Sequence, residues 1–291
     1  MSSLKKITVL GAGTPTPTKD RFGSSIVVKV NDELIMFDCG PATTHKLIKA
    51  GISITKVDYL FFSHHHFDHD VDYPCFLLTR WDQGAGKEKT LRVLGPNPTE
   101  EFTENLIGEE GVFSHDWKAR VGHPVSQQIY VNRGGTLPRK PPVVNAENIK
   151  PDSTYKFNGW DIHTAEAKHV QPYLDSLAYR METDDFSLVY TGDTEPCESV
   201  EKLSQGADMM ICMCWDEQSV MEKEKENTGQ CGTLGAASMA ATAEVKHLVL
   251  THMGPNISKA ENMQKSLREI REVYSGKVTF ADEITDVNLN Y

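Results

Sequence analysis

The run Ser63-His64-His65-His66-Phe67-Asp68-His69-Asp70 packs three imidazoles and a carboxylate into the pattern His64-x-His66-x-Asp68-His69. No other feature constrains the fold as tightly. Buried together without a partner, those rings would leave several nitrogens unpaired, whereas a divalent cation satisfies them along with the carboxylate charge. In extended or tightly looped backbone, residues two apart point the same way, so His64 and His66 can share one ion while Asp68 and His69 face a neighbouring one. The fold must therefore present this segment at the end of an element, beside ligand-type residues from elsewhere. Three other apolar runs end in such residues: Phe37-Asp38-Cys39-Gly40, Tyr190-Thr191-Gly192-Asp193 and Leu250-Thr251-His252. Open α/β sheets carry their sites at the carboxyl ends of strands.

Short apolar runs bounded by turn signals predict strands at residues 7–10, 25–30, 34–37, 59–62, 187–190, 209–213 and 247–250. Helical stretches at 43–50, 197–204, 234–243 and 259–274 lie between or after them. The alternation favours an α/β architecture with helices outside. A similar series restarts near Tyr155, which suggests two related halves packed face to face within one domain spanning residues 1–291. Between the halves, residues 82–152 are rich in glycine, proline and polar residues with weak periodicity. They predict a long irregular insertion, a lid or an oligomer contact. The charged run at 222–226 reads as a solvated surface turn.

Lys and Arg total 30 against 41 Asp and Glu, a net charge of −11, which disfavours polyanion binding over a broad surface. No apolar run approaches the roughly 20 residues needed to cross a bilayer, and the first residues lack a signal-peptide core, so a cytoplasmic protein is expected. The six cysteines are scattered and read as reduced, buried thiols. Cys212 and Cys214 alternate along a strand with no second pair at matching distance, so core packing outweighs a soft metal pair. His115 and His123 read as solvated loop histidines.

The His64-x-His66-x-Asp68-His69 signature resembles that of the metallo-β-lactamase superfamily, and later residues fit in order: His169 in Ala167-Lys168-His169, Asp193 in Thr191-Gly192-Asp193-Thr194, and His252. The resemblance implies an αββα sandwich of two mixed β-sheets flanked by helices. It assigns His64, His66 and His169 to one metal and Asp68, His69 and His252 to the other, with Asp193 bridging both. Asp38 supports the ligand loop from behind. The implied cofactors are two divalent ions, zinc first, with Mn2+ or Fe2+ as alternatives. Such a pair lowers the pKa of a shared water and polarises the scissile group. Asp68 is placed to exchange a proton with the water or leaving group, which makes it the candidate catalytic residue. Many relatives form dimers, so a homodimer is expected.

Val9-Leu10-Gly11-Ala12-Gly13-Thr14-Pro15, Ala178-Tyr179-Arg180 and Tyr190-Thr191-Gly192-Asp193-Thr194 are most similar to the ribonuclease Z branch. Gly11-x-Gly13 is not a dinucleotide loop, because the third glycine is missing and Pro15 and Pro17 block the helix start. Where that branch has a His-Glu pair, this chain reads Cys212-Met213-Cys214-Trp215. No histidine falls near Gln230 to Thr233, and Met253-Gly254-Pro255-Asn256 replaces the phosphate-handling continuation after His252. There is no basic, glycine-rich arm. The expectation is therefore a hydrolase of a small molecule (an ester, lactone, amide, sulfate ester or activated aryl halide) in a pocket lined by Phe67, Met213, Trp215 and Met253. A ribonuclease Z-like phosphodiesterase is the alternative. A non-hydrolytic diiron redox relative would carry glutamate where this chain has His66.

Overall fold

A computed structural model describes residues 3–289. The first sheet is built from β1 (Leu4–Ala12), β2 (Ser24–Val30), β3 (Glu33–Phe37), β4 (Val57–Phe61), β5 (Leu91–Gly95) and β6 (Val144–Asn148) in chain order. The second takes β7 (Thr154–Lys156), β8 (Asp161–Glu166), β9 (Leu177–Glu182), β10 (Ser187–Tyr190), β11 (Met209–Met213), β12 (His247–Thr251) and β13 (Lys277–Phe280), again in order. A short last strand, β14 (Thr285–Asp286), pairs antiparallel on the free side of β1. Each sheet starts antiparallel and turns parallel, at the β3–β4 pair in one and the β10–β11 pair in the other. That repeated change of direction is the relation between halves expected from the restart near Tyr155.

Three apolar layers hold the sheets and helices together. Between the sheets, Ile7, Val9, Ile26, Phe37 and Phe61 meet Tyr179, Met181, Leu188, Ile211 and Val249. Phe37 sits at the seam, with ring centroids 5.7 Å from Tyr179 and 5.6 Å from Tyr190. On the outer face of the first sheet, Leu10, Met36 and Leu60 pack against Leu47 of helix Thr43–Lys49 and Phe76 of helix Tyr73–Gly84. On the outer face of the second, Met210 and Leu250 pack against Ala236 and Ala240 of helix Thr233–Thr242 and Ile270 of helix Ala260–Val273. Strand β11 shows the cause: Met209 and Ile211 face the inter-sheet layer, Met210 and Cys212 the helices, as the two-residue period requires. The result is the αββα sandwich.

All seven predicted strands and all four predicted helices are present. The segment 82–152, expected to be irregular, differs. It supplies β5, β6 and helices Thr99–Ile107, Ser114–Gly122 and Pro124–Asn132. β6 (VNAEN) is a mostly polar strand of half-buried residues at a sheet edge, where alternation is weak as a signal. The turn expected at 222–226 is partly helical, because helix Gln218–Glu224 runs through its first three residues, although its side chains are solvated as expected. His115 lies in helix Ser114–Gly122 rather than in a loop, and His115 and His123 are both exposed.

Candidate metal centre

Five strand ends from both sheets converge on one spot. Asp38 follows β3 directly and His252 follows β12; His64, His169 and Asp193 each stand three residues past β4, β8 and β10. Within the cluster, His64 Nε2 lies 3.1 Å from His66 Nδ1, which lies 3.1 Å from His169 Nε2. Nitrogens held about 2.0–2.1 Å from a tetrahedral zinc are separated by roughly 3.3 Å, so the three rings match one ion. A second group forms where His252 Nε2 lies 3.1 Å and His69 Nε2 3.6 Å from Asp68 Oδ2. Asp193 reaches both: Oδ2 is 3.2 Å from His252 Nε2 and 3.9 Å from His169 Nε2, and Oδ1 is 3.5 Å from His69 Nε2.

Two observations fit these residues to divalent ions. First, His69 Nε2 and Asp193 Oδ1 are fully buried and have no hydrogen-bond partner among the described residues, a costly state that a cation between them would relieve. Second, the charges are out of balance without one. Burial would push the His69 imidazole down, but Asp193, Asp38 and Asp68 pull it well above its ordinary value. Burial would raise the Asp68 and Asp193 carboxyls, yet His69 and His252 hold both below the usual range, Asp193 well below. His64, buried among other imidazoles, is pushed well down and stays a neutral donor. Such a site holds positive charge either as a proton on His69 or as metal, and binding the metal releases the proton.

The ring nitrogens turned away from the cluster are anchored. Asp38 Oδ2 accepts from His69 Nδ1 at 2.7 Å and from Tyr190 OH at 2.6 Å, while Ser63 bonds both carboxylate oxygens through its N–H and hydroxyl. His169 Nδ1 donates to the Gly229 carbonyl at 2.7 Å. Asp38 thus lies behind the candidate ligand loop, and Ser63, Tyr190 and Gly229 are contacts there that sequence reasoning missed. A backbone carbonyl leaves no sequence signal. His65, the middle histidine, turns away to Asp70 at 3.2 Å and Thr99 at 2.9 Å.

The expected apolar pocket is only half present. Met213 and Met253 are 1% and 0% exposed and belong to the layer under the second sheet, so they are core rather than wall. Strand alternation places them there, and a polarisable side chain near the motif gives no warning of it. Trp215 is half-buried and stacks on His252 at 6.0 Å, with its indole N–H on Glu226. Phe67, beside the partly exposed candidate ligand His66, is 53% exposed. Cys212 and Cys214 are buried in the apolar layer, in keeping with packing.

The sequence pattern of the family described as "Beta-lactamase superfamily domain" matches residues 34–253, which include every ligand candidate. The chain belongs to the β-lactamase superfamily. Members are hydrolases, and the metallo-β-lactamase fold seen here implies divalent metal ions. A superfamily relative, a ribonuclease Z of Mycobacterium bovis (strain BCG / Pasteur 1173P2), is 25% identical over 98% of both chains. A ribonuclease Z of Mycobacterium marinum is 24% identical over 98% of this chain and 99% of its own. In fold, the chain is similar to the metallo-beta-lactamase fold protein YhfI from Bacillus subtilis (TM-score 0.74, 21% identity, 98% and 99% of the two chains). It is also similar to the human tRNase Z short form (TM-score 0.67, 19% identity, all of both chains). No helix among the described residues is long and apolar enough to cross a membrane.

Proposed function

We propose that this protein is a binuclear metal-dependent phosphodiesterase of the ribonuclease Z type, acting on RNA. The observation that carries the metal chemistry is the Asp193 carboxylate, within 3.9 Å of a ligand nitrogen from each histidine group. For the substrate, the end-to-end likeness to ribonucleases Z supports the phosphodiester reading over a small-molecule ester. The small-molecule expectation rested on the replaced His-Glu and phosphate-handling motifs and on an apolar pocket, and two of that pocket's four walls are core residues. The expectation against nucleic acid rested on the lack of a basic, glycine-rich arm and on net charge, which says nothing of where the charges sit.

His64, His66 and His169 would hold one ion, Asp68, His69 and His252 the other, with Asp193 shared. When bound, the ions, zinc by the donor set, supply a water of near-neutral pKa and polarise the scissile group. Asp68 Oδ2 lies at the edge of the second group and is ionised, so it can accept the water's proton and later hand it to the leaving oxygen. Asp38 fixes the His69 ring through Nδ1, leaving Nε2 as the donor. His66 and His169 are the partly exposed ligands, so substrate enters from their side, past Phe67.

Turnover of bis(p-nitrophenyl) phosphate and of precursor transfer RNA by the zinc-loaded protein, beside an ester and lactone panel, tests the reading. Cleavage of both phosphodiesters is expected, and His66→Ala or Asp193→Ala should strip metal and abolish it. Turnover of esters or lactones alone would return the substrate to the small-molecule class, a reading favoured by Cys212-Met213-Cys214 in place of a His-Glu pair.

A further inference from the structure

Residues 117–146 contain Lys118, Arg120, Arg133, Arg139 and Lys140 and no aspartate or glutamate, in a chain of net charge −11. Lys118 pairs with Glu109 at 3.1 Å, but folding gathers the three arginines at one place. Arg120, Arg133 and Arg139 converge on the single carboxylate of Asp82 at 3.4, 2.5 and 2.8 Å, and Arg120 also meets Asp116 at 2.9 Å. Arg139 is buried, 3.9 Å above the Trp81 ring and 5.0 Å from that of Tyr130, and its Nε has no partner. Next to it opens a cavity of about 380 Å3 whose walls include Trp81, Tyr130, Lys87, Lys89 and Lys140. Glu88 is the one acid among the lining residues. Lys89 is 3.4 Å from Asp58, while Lys87 and Lys140 have no carboxylate within 4.0 Å among the described residues.

Unpaired ammoniums beside a threefold guanidinium cluster around one carboxylate complement a row of phosphates. We propose that the lysine-lined cavity and the arginine cluster on Asp82 form a docking surface for the backbone of single-stranded RNA. The inference rests on the RNA phosphodiesterase reading of the metal centre. Position adds a consequence. Helix Tyr73–Gly84 begins just past Asp70 and ends at this surface, so its 12 residues separate the two by about 18 Å. A dinucleotide reaches the metal centre only. A strand of many nucleotides spans both.

The test uses the full-length zinc-loaded protein and an uncleavable 2′-O-methyl RNA strand, with binding read by fluorescence anisotropy over a salt series. Turnover of bis(p-nitrophenyl) phosphate is read in parallel. The variant Lys87→Ala/Lys140→Ala should bind the long strand about tenfold more weakly. Its slope of log Kd against log salt should be shallower by about 1.4, at about 0.7 per phosphate contact. Turnover of the small diester should be unchanged, and Lys87→Arg/Lys140→Arg should retain binding. Equal affinity and slope in the alanine variant, or no binding by the wild type, would overturn the proposal. If the lysine variant loses RNA while the wild type leaves the small diester intact, the docking surface stands and the catalytic reading falls.

Discussion

Asp38 sits in the left-handed region at φ 59°, fully buried, accepting from Ser63 twice, Tyr190 and His69. A strained backbone held by so many partners is the mark of a residue that orients others. Asp38→Asn should leave the protein folded yet weaken zinc binding about 10–100-fold, as loss of a carboxylate behind a ligating imidazole does. Competition against a zinc chelator measures this; undiminished affinity would deny Asp38 its role. His247 offers a test apart from the metal. Burial, with Lys277 adding repulsion, pushes its imidazole down to about 4, and Nε2 pairs with the Thr279 hydroxyl at 2.8 Å. The unfolded chain, with an ordinary value near 6.5, then binds more protons between pH 6.5 and 4. Its contribution is intact above pH 6.5 and is lost as pH falls through that window, by up to roughly 3 kcal/mol at 1.36 kcal/mol per unit. In urea unfolding, His247→Gln should flatten the decline between pH 7 and 4.5, and an unchanged decline would refute the assignment.

At the scale of elements, the ligand-bearing loops are locked by close backbone approaches. A Cβ on Gly40 would stand 2.1 Å from the Asp68 carbonyl, and one on Gly229, at φ +71°, would stand 2.0 Å from that of His169. Gly40→Ala should therefore displace helix Phe67–Asp70, which carries Asp68 and His69, and Gly229→Ala the His169 loop. Both variants should lose zinc affinity by tenfold or more with the sheets intact, visible as weak cobalt d–d spectra beside native far-ultraviolet dichroism. Normal cobalt spectra would show that the loops tolerate the methyl. The strands feeding these loops were legible because β2, β3, β4, β10, β11 and β12 are buried apolar runs bounded by turn signals. β5 and β6 were not, since they lie where glycine, proline and charge blur the pattern and their strand state depends on pairing with β4 and with each other. The helices between them were missed for the same reason; Pro124–Asn132 buries only Tyr130.

For the whole molecule, the candidate metal cluster draws on both sheets: Asp68, His64 and His69 come from the first half, His169, Asp193 and His252 from the second, so a bound ion would fasten them to each other. An ion bound only by the folded state at 1,000 times its Kd adds about 4 kcal/mol. Removing it with chelator should lower Tm by roughly 8–16 °C, at about 2–4 °C per kcal/mol for a chain of this size. An identical Tm with and without chelator would mean that the cluster holds no structural ion. The sequence alone marked the candidate His64-x-His66-x-Asp68-His69 cluster, because its spacing is local, and the family resemblance implied His169, Asp193 and His252. The sequence likewise determined the α/β alternation, because apolar period and run length are local too, whereas the sandwich was what the family resemblance implied. Tertiary structure decided which polarisable side chains are wall and which are core, which carbonyl anchors His169, and where basic residues of an acidic chain gather. Each depends on distances between segments far apart along the chain, and those are set only when the two sheets close on one another.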